Sequence, residues 1–168
     1  MLCDVAVEGA AVCSTKFINV MGKRIFRRPL EQADTDRYLA LFQKVSAVDG
    51  FNTGIEVVLR AMLQSPHFLY RAELGNPNLP ASPSRIRLTP YEVATELSYL
   101  LWGTMPDAEL MNAADTGGLD TDAQVEAQAL RLLQDPRSDA IIERFVTSWL
   151  ELDRLDSIPK DPMTYPQW

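Results

Sequence analysis

Residues Arg87 to Asp107, RLTPYEVATELSYLLWGTMPD, constrain this chain more than any other stretch. Thr89, Pro90 and Glu92 form a capping box: the Thr hydroxyl accepts the amide three residues on, and the Glu carboxylate reaches back to the cap amide. Pro90 falls on the first helical position, where its missing N–H costs nothing. Val93, Leu97, Leu100 and Leu101 then recur at helical spacing, Ala94 and Trp102 widen the apolar stripe, and Gly103 lets the chain turn out. The pattern predicts a helix from Pro90 to Trp102. Met105-Pro106-Asp107 restarts a helix, with acids in its first turn where the macrodipole favours them.

The same reading extends along the chain. After a weakly patterned lead-in over residues 1–13, Ser14 is the expected cap of a helix carrying Phe17, Ile18, Met21, Ile25 and Phe26, which must end before Pro29. Helices follow over Glu31 to Val48 and Phe51 to Gln64, the latter stopped by Ser65-Pro66. His67 to Arg71 reads as an apolar helical turn packed on this antiparallel unit. Residues 75–84 are rich in proline and turn formers and read as a linker. Beyond the Pro90 helix, a short helix runs from Asp107 to Ala114, and Thr121 with Gln124 makes a second capping box for a helix broken at Asp135-Pro136. Ser138 starts the last helix, whose Ile141, Ile142, Phe145, Val146, Trp149, Leu150 and Leu152 form the largest apolar face in the chain. From Asp156 on, Pro159, Pro162 and Pro166 forbid regular structure. With no alternating strand pattern, the expected fold is all-α: two small helical bundles, residues 14–74 and 85–168, joined by the linker, with no β-sheet. The second is expected to dock through the HFLYR segment and the Pro90 helix.

Charge and length narrow the function classes. The 168 residues suffice for a core, and no apolar run approaches the roughly 18 to 20 residues a bilayer span requires. The net charge of −7 is uneven: residues 1–84 hold 9 basic and 8 acidic side chains, residues 85–168 hold 7 and 15. An acidic second half argues against a nucleic-acid surface. The one basic cluster, Lys23, Arg24, Arg27 and Arg28, reads as a helix terminus complementing the dipole or as an ion-pair partner for the acidic half, ahead of an anion site. The N-terminus lacks a signal-peptide pattern, and the end at Trp168 brings no closing element, so a fragment of something longer is expected. Cys3 and Cys13 leave two readings open, a small disulfide loop in an exported protein or two free thiols.

Candidate sites are few. His67, the only histidine, is the one weak candidate for cofactor binding; alone after a proline on an apolar segment, it reads first as a packed, hydrogen-bonded side chain. Glu92 and Glu96, four apart, could present paired carboxylates to a glycoside, but Glu92 is used by its capping box and a general acid needs burial to raise its pKa. Asp115 to Asp122 fails the calcium-loop spacing and reads as a turn. Trp102 and Trp149 are expected as core anchors. No catalytic or metal-binding set is assembled.

FRRPL (Phe26 to Leu30), MLQSPHFLYR (Met62 to Arg71), the Arg87–Asp107 stretch and LLQDPRS (Leu132 to Ser138), in this order, resemble two adjacent domains of unknown function, families 1595 and 1592, found in large exported proteins of planctomycetes and myxobacteria. The first resemblance covers about residues 14–74 and the second about 85–168, without the second family's C-terminal part. Glu96 departs from it, since the family more often has arginine before LSY. The resemblance implies an exported protein in which other domains of the same parent chain, among them a cytochrome c-like domain, are the partners. Haem would then belong to the parent protein, with no cofactor in this segment. The expected function is a non-catalytic structural or interaction module. The alternative is part of a haem-dependent or polysaccharide-acting enzyme whose site lies mostly in other domains.

Overall fold

The computed structural model describes residues 3–75, 86–159, 161, 163–164 and 166–167, and every regular element among them is helical. The linker expected over 75–84 lies, Gly75 apart, outside the described residues. No helix among the described residues is long and apolar enough to cross a membrane.

The lead-in is more ordered than its sequence suggests. Asp4 caps a one-turn helix, α1 (Val5–Glu8), by accepting the Ala6 amide at 2.9 Å. Gly9, at φ 84°, then turns the chain into α2 (Ala10–Phe26). This helix begins four residues before Ser14, whose buried hydroxyl donates to the Ala11 carbonyl at 3.0 Å instead of capping. The start is early because the glycine already separates the two helices and the Cys3–Cys13 disulfide ties them together, with Cα atoms 5.4 Å apart. The disulfide reading of the two cysteines is therefore the observed one.

After α2 ends ahead of Pro29, α3 (Gln32–Leu63) contains both helices expected there, divided at Gly50, where φ 84° and ψ 172° are open to glycine at little cost. The two segments pack side by side: the Phe42 and Phe51 rings meet edge-on at 5.3 Å, and a Cβ on Gly54 would lie 2.9 Å from the Phe42 ring. One turn, α4 (Pro66–Leu69), capped by Ser65, follows. Ile18, Phe26, Tyr38, Phe42, Val58 and Met62 form this lobe's core, with Phe68 against it. Each large apolar side chain buried there contributes roughly 1.5–3 kcal/mol.

The second lobe is built on α5 (Pro90–Trp102), with the complete Thr89–Glu92 capping box and Gly103 as its left-handed C-cap at φ 66°. Asp107 caps α6 (Ala108–Asp115), and the Thr121–Gln124 box opens α7 (Asp122–Leu133). The last α-helix is α8 (Arg137–Trp149). Trp102, 5% exposed, anchors the core as expected: its indole N–H donates to the Leu132 carbonyl at 2.8 Å, and the Arg137 guanidinium lies 3.4 Å over its ring.

Four details of the expected pattern are corrected here. The buried face of α5 is Ala94, Thr95, Ser98 and Trp102, while Leu100 is 68% exposed. Helices α6, α7 and α8 all pack on α5, and small residues let backbones approach where a leucine would hold them apart. Ser138 is not a cap but a buried residue donating to the Leu133 and Asp135 carbonyls at 2.9 and 2.8 Å. Trp149, expected as a core anchor, is 71% exposed. Helix α8 meets α5 near its start, where Ile141 sits against Gly103. From Ile142 on, every residue through Leu150 except Thr147 is exposed, so Phe145 and Trp149 lie on the same face as Ile141 but past the helices that would cover them. Beyond Glu151, at φ 52°, a 3-10 helix (Leu152–Ser157) carries regular structure just past Asp156.

Candidate functional site

The two lobes meet through polar groups, and the residues that join them also wall a cleft. Arg27 is central to this junction. Its backbone takes the left-handed conformation (φ 57°) that ends α2, and its side chain is 5% exposed. The guanidinium donates to the carbonyls of His67 at 2.9 Å and Tyr70 at 3.0 Å, which pins the HFLYR segment against the end of α2. On the far side it lies 6.0 Å from the Tyr99 ring centroid of α5.

Glu92 makes the second link. One carboxylate oxygen accepts the amides of Leu74 and Gly75 at 2.8 and 3.1 Å, while the other accepts the Thr89 amide at 2.7 Å. Burial alone would raise its pKa, but these donors hold it below the ordinary 4.5. A carboxylate stabilised in its charged form is a poor general acid. Arg71 makes the third link, stacked 4.8 Å over the Tyr99 ring and 3.6 Å from Glu96. An arginine in place of Glu96 would set two guanidiniums face to face here.

A fourth link runs from Lys23, which pairs with Asp115 at the end of α6. The Tyr91 hydroxyl donates to the other oxygen of that carboxylate at 2.8 Å. Burial, the bond to Asp115 and the aspartate charge push the tyrosine from 10.0 up to about 12. Lys23 outweighs a small burial effect to hold Asp115 below its ordinary value. Within the basic cluster, Lys23 thus serves the acidic half, Arg28 pairs locally with Asp34 at 3.3 Å, and Arg27 binds carbonyls.

Between these links lies a cleft of about 420 Å³, walled by the end of α2, the His67–Gly75 segment and the first turns of α5. Past Arg71 and Glu96 a smaller hollow of about 330 Å³ continues toward Tyr99. His67 is on the cleft wall. Its ring is exposed and tilted against Phe26 at 5.1 Å, and it makes no side-chain hydrogen bond to a described residue, in contrast to the packed, hydrogen-bonded side chain expected. Met62, its neighbour in sequence, is fully buried in the first core. Glu92 and Glu96 both reach the cleft, the first tied by amides and the second facing Arg71. The Asp115–Asp122 segment is a turn in which Thr121 caps α7, and no group of potential metal ligands gathers among the described residues.

The sequence places Arg27 in a basic cluster and Tyr70 and Arg71 in the HFLYR segment, but no local pattern marks their convergence with Tyr99. The carbonyl partners of Arg27 lie 40 and 43 residues further along the chain, beyond the reach of helical periodicity.

Comparison with known families now bears on this arrangement. The family described as PSD5, protein of unknown function (DUF1595), matches residues 13–73, and the family described as PSD4, protein of unknown function (DUF1592), matches residues 88–168. The chain belongs to these two families, joined in tandem. No curated protein and no solved structure matches it. The DUF1595 segment supplies Arg27, His67 and Arg71, and the DUF1592 segment supplies Glu92, Glu96 and Tyr99. The cleft therefore forms where the two families meet.

Proposed function

We propose that this tandem of DUF1595 and DUF1592 is a non-catalytic interaction module of a larger exported protein, and that it positions a cytochrome c-like domain of the same parent chain. The observation that carries the reading is the outward face of α8. Phe145 and Trp149 stack at 5.9 Å with an interplanar angle of 21°, and Ile142 and Leu150 lie exposed beside them. Contiguous large apolar side chains held on a regular helix are what a docking surface presents. The acidic balance of the second half adds a preference for a basic partner face. The resemblance supplies the identity of the partner.

The test is a binding titration between this chain and a separately produced cytochrome c-like domain from the same parent. Affinity that falls in Trp149→Ala and Phe145→Ala supports the reading, and absence of affinity for the wild-type chain defeats it. A second reading, part of a haem-dependent or polysaccharide-acting enzyme, draws on the exposed His67 ring at the cleft. Haem titration of wild type and His67→Ala decides its haem form: a Soret shift lost in the variant makes His67 a ligand.

A further inference from the structure

We propose that the cleft between the lobes binds a short neutral glycan without cleaving it. Its volume of about 420 Å³ lies within the range of small-molecule sites, and its continuation past Arg71 into the adjoining hollow gives it the length for a chain segment.

Charge narrows the ligand class. The wall carries three arginines, Arg27, Arg28 and Arg71, and three glutamates, Glu31, Glu92 and Glu96. Arg27 and Glu92 are committed to backbone carbonyls and amides. Arg28 is also engaged, its guanidinium donating to the Pro29 carbonyl at 2.9 Å and to Asp34 at 3.3 Å. That leaves one loose pair, Arg71 at 3.6 Å from Glu96, a separation beyond hydrogen-bond length, so the facing donor and acceptor retain capacity for a ligand. A charged ligand would gain from one member of the pair and lose to the other. A neutral, hydroxyl-rich ligand uses both, since each hydroxyl donates to carboxylate and accepts from guanidinium.

The aromatic lining completes the match. His67 and Tyr70 are exposed and Tyr91 is half-buried at the same wall, giving apolar ring faces with polar edges. Sugar rings present C–H faces and hydroxyl edges, and alternate in the same way. Glu92, which its three amide donors keep ionised, is a poor acid for a leaving oxygen, which supports binding over hydrolysis.

The experiment is an amide-resolved NMR titration of the intact chain with cello-, xylo- and chito-oligosaccharides, and with oligogalacturonate as a charged control. Shifts confined to His67–Gly75 and Thr89–Glu96 with a neutral oligosaccharide, an about tenfold weaker affinity in Tyr70→Ala and in Arg71→Ala, and intact oligosaccharide after long incubation are expected. Tyr70→Phe, which keeps the ring, should retain most of the affinity and serves if Tyr70→Ala disturbs the fold. The proposal is overturned if no neutral oligosaccharide shifts the cleft at millimolar concentration. It is equally overturned by binding of oligogalacturonate alone, by cleavage of the ligand, or by binding lost in Trp149→Ala but kept in Tyr70→Ala.

Discussion

Glu92 accepts the Leu74 amide at 2.8 Å, so the carboxylate that starts α5 also holds the last residues of the first lobe. One side chain thus serves as a helix cap and as an interdomain clasp. Glu92→Ala should cost about 1–3 kcal/mol, the loss of a cap together with amides left short of an acceptor. Urea denaturation measures the cost. Hydrogen exchange should show Leu74 and Gly75 losing protection before the helix cores do.

The clasp is pH-dependent in a defined direction. Glu92 and Asp115 both have folded pKa values below the ordinary 4.5 and 3.8, so each contributes stability that is fully present above those values. That contribution is lost as pH falls through the lowered folded values. Thermal midpoints should therefore be level from neutrality to about pH 5 and decline below about pH 4.5, with the junction amides exchanging first. Glu92→Gln should flatten part of this decline.

Tyr91 tests the same junction from the alkaline side. Its phenol, raised from 10.0 to about 12, contributes stability that is complete below pH 10 and is lost as pH rises through about 12. Ultraviolet titration of wild type against Tyr91→Phe should identify one tyrosine ionising late. In Asp115→Asn that late transition should move only part of the way back toward 10, since burial, the largest cause, remains while the hydrogen bond to a carboxylate and its charge are gone.

The two tryptophans of the second lobe should behave oppositely. Trp102→Ala removes a buried indole, its bond to the Leu132 carbonyl and the surface beneath Arg137, and should cost about 3–5 kcal/mol. Trp149→Ala should change stability by no more than about 0.5 kcal/mol, because the side chain is 71% exposed. Chemical denaturation of the two variants checks both outcomes.

Gly54 should tolerate no side chain. A Cβ there would meet the Phe42 ring at 2.9 Å, and Gly54→Ala should destabilise by about 1–3 kcal/mol despite the better helix propensity of alanine. Thermal unfolding gives the sign at once.

Local chemistry determined the elements of this protein. Both capping boxes, the stop before Pro29, the division of α3 near Gly50 and the all-α class follow from residues within a few positions of one another, which is the range over which hydrogen-bonded turns and helical periodicity act. Motif order likewise carried the two families. Tertiary structure decided what each apolar face meets and which distant groups converge. The α8 stripe looks like a core face in sequence, yet only its Ile141 end meets α5 at Gly103, and Phe145 and Trp149 further along the same face are left in solvent. Arg27 looks like a surface charge at a helix end, yet carbonyls some forty residues away bury it. Periodicity specifies that a helix has an apolar side, and only the packing of neighbours, summed over long-range contacts, selects which part of that side is covered and where a cleft is left open.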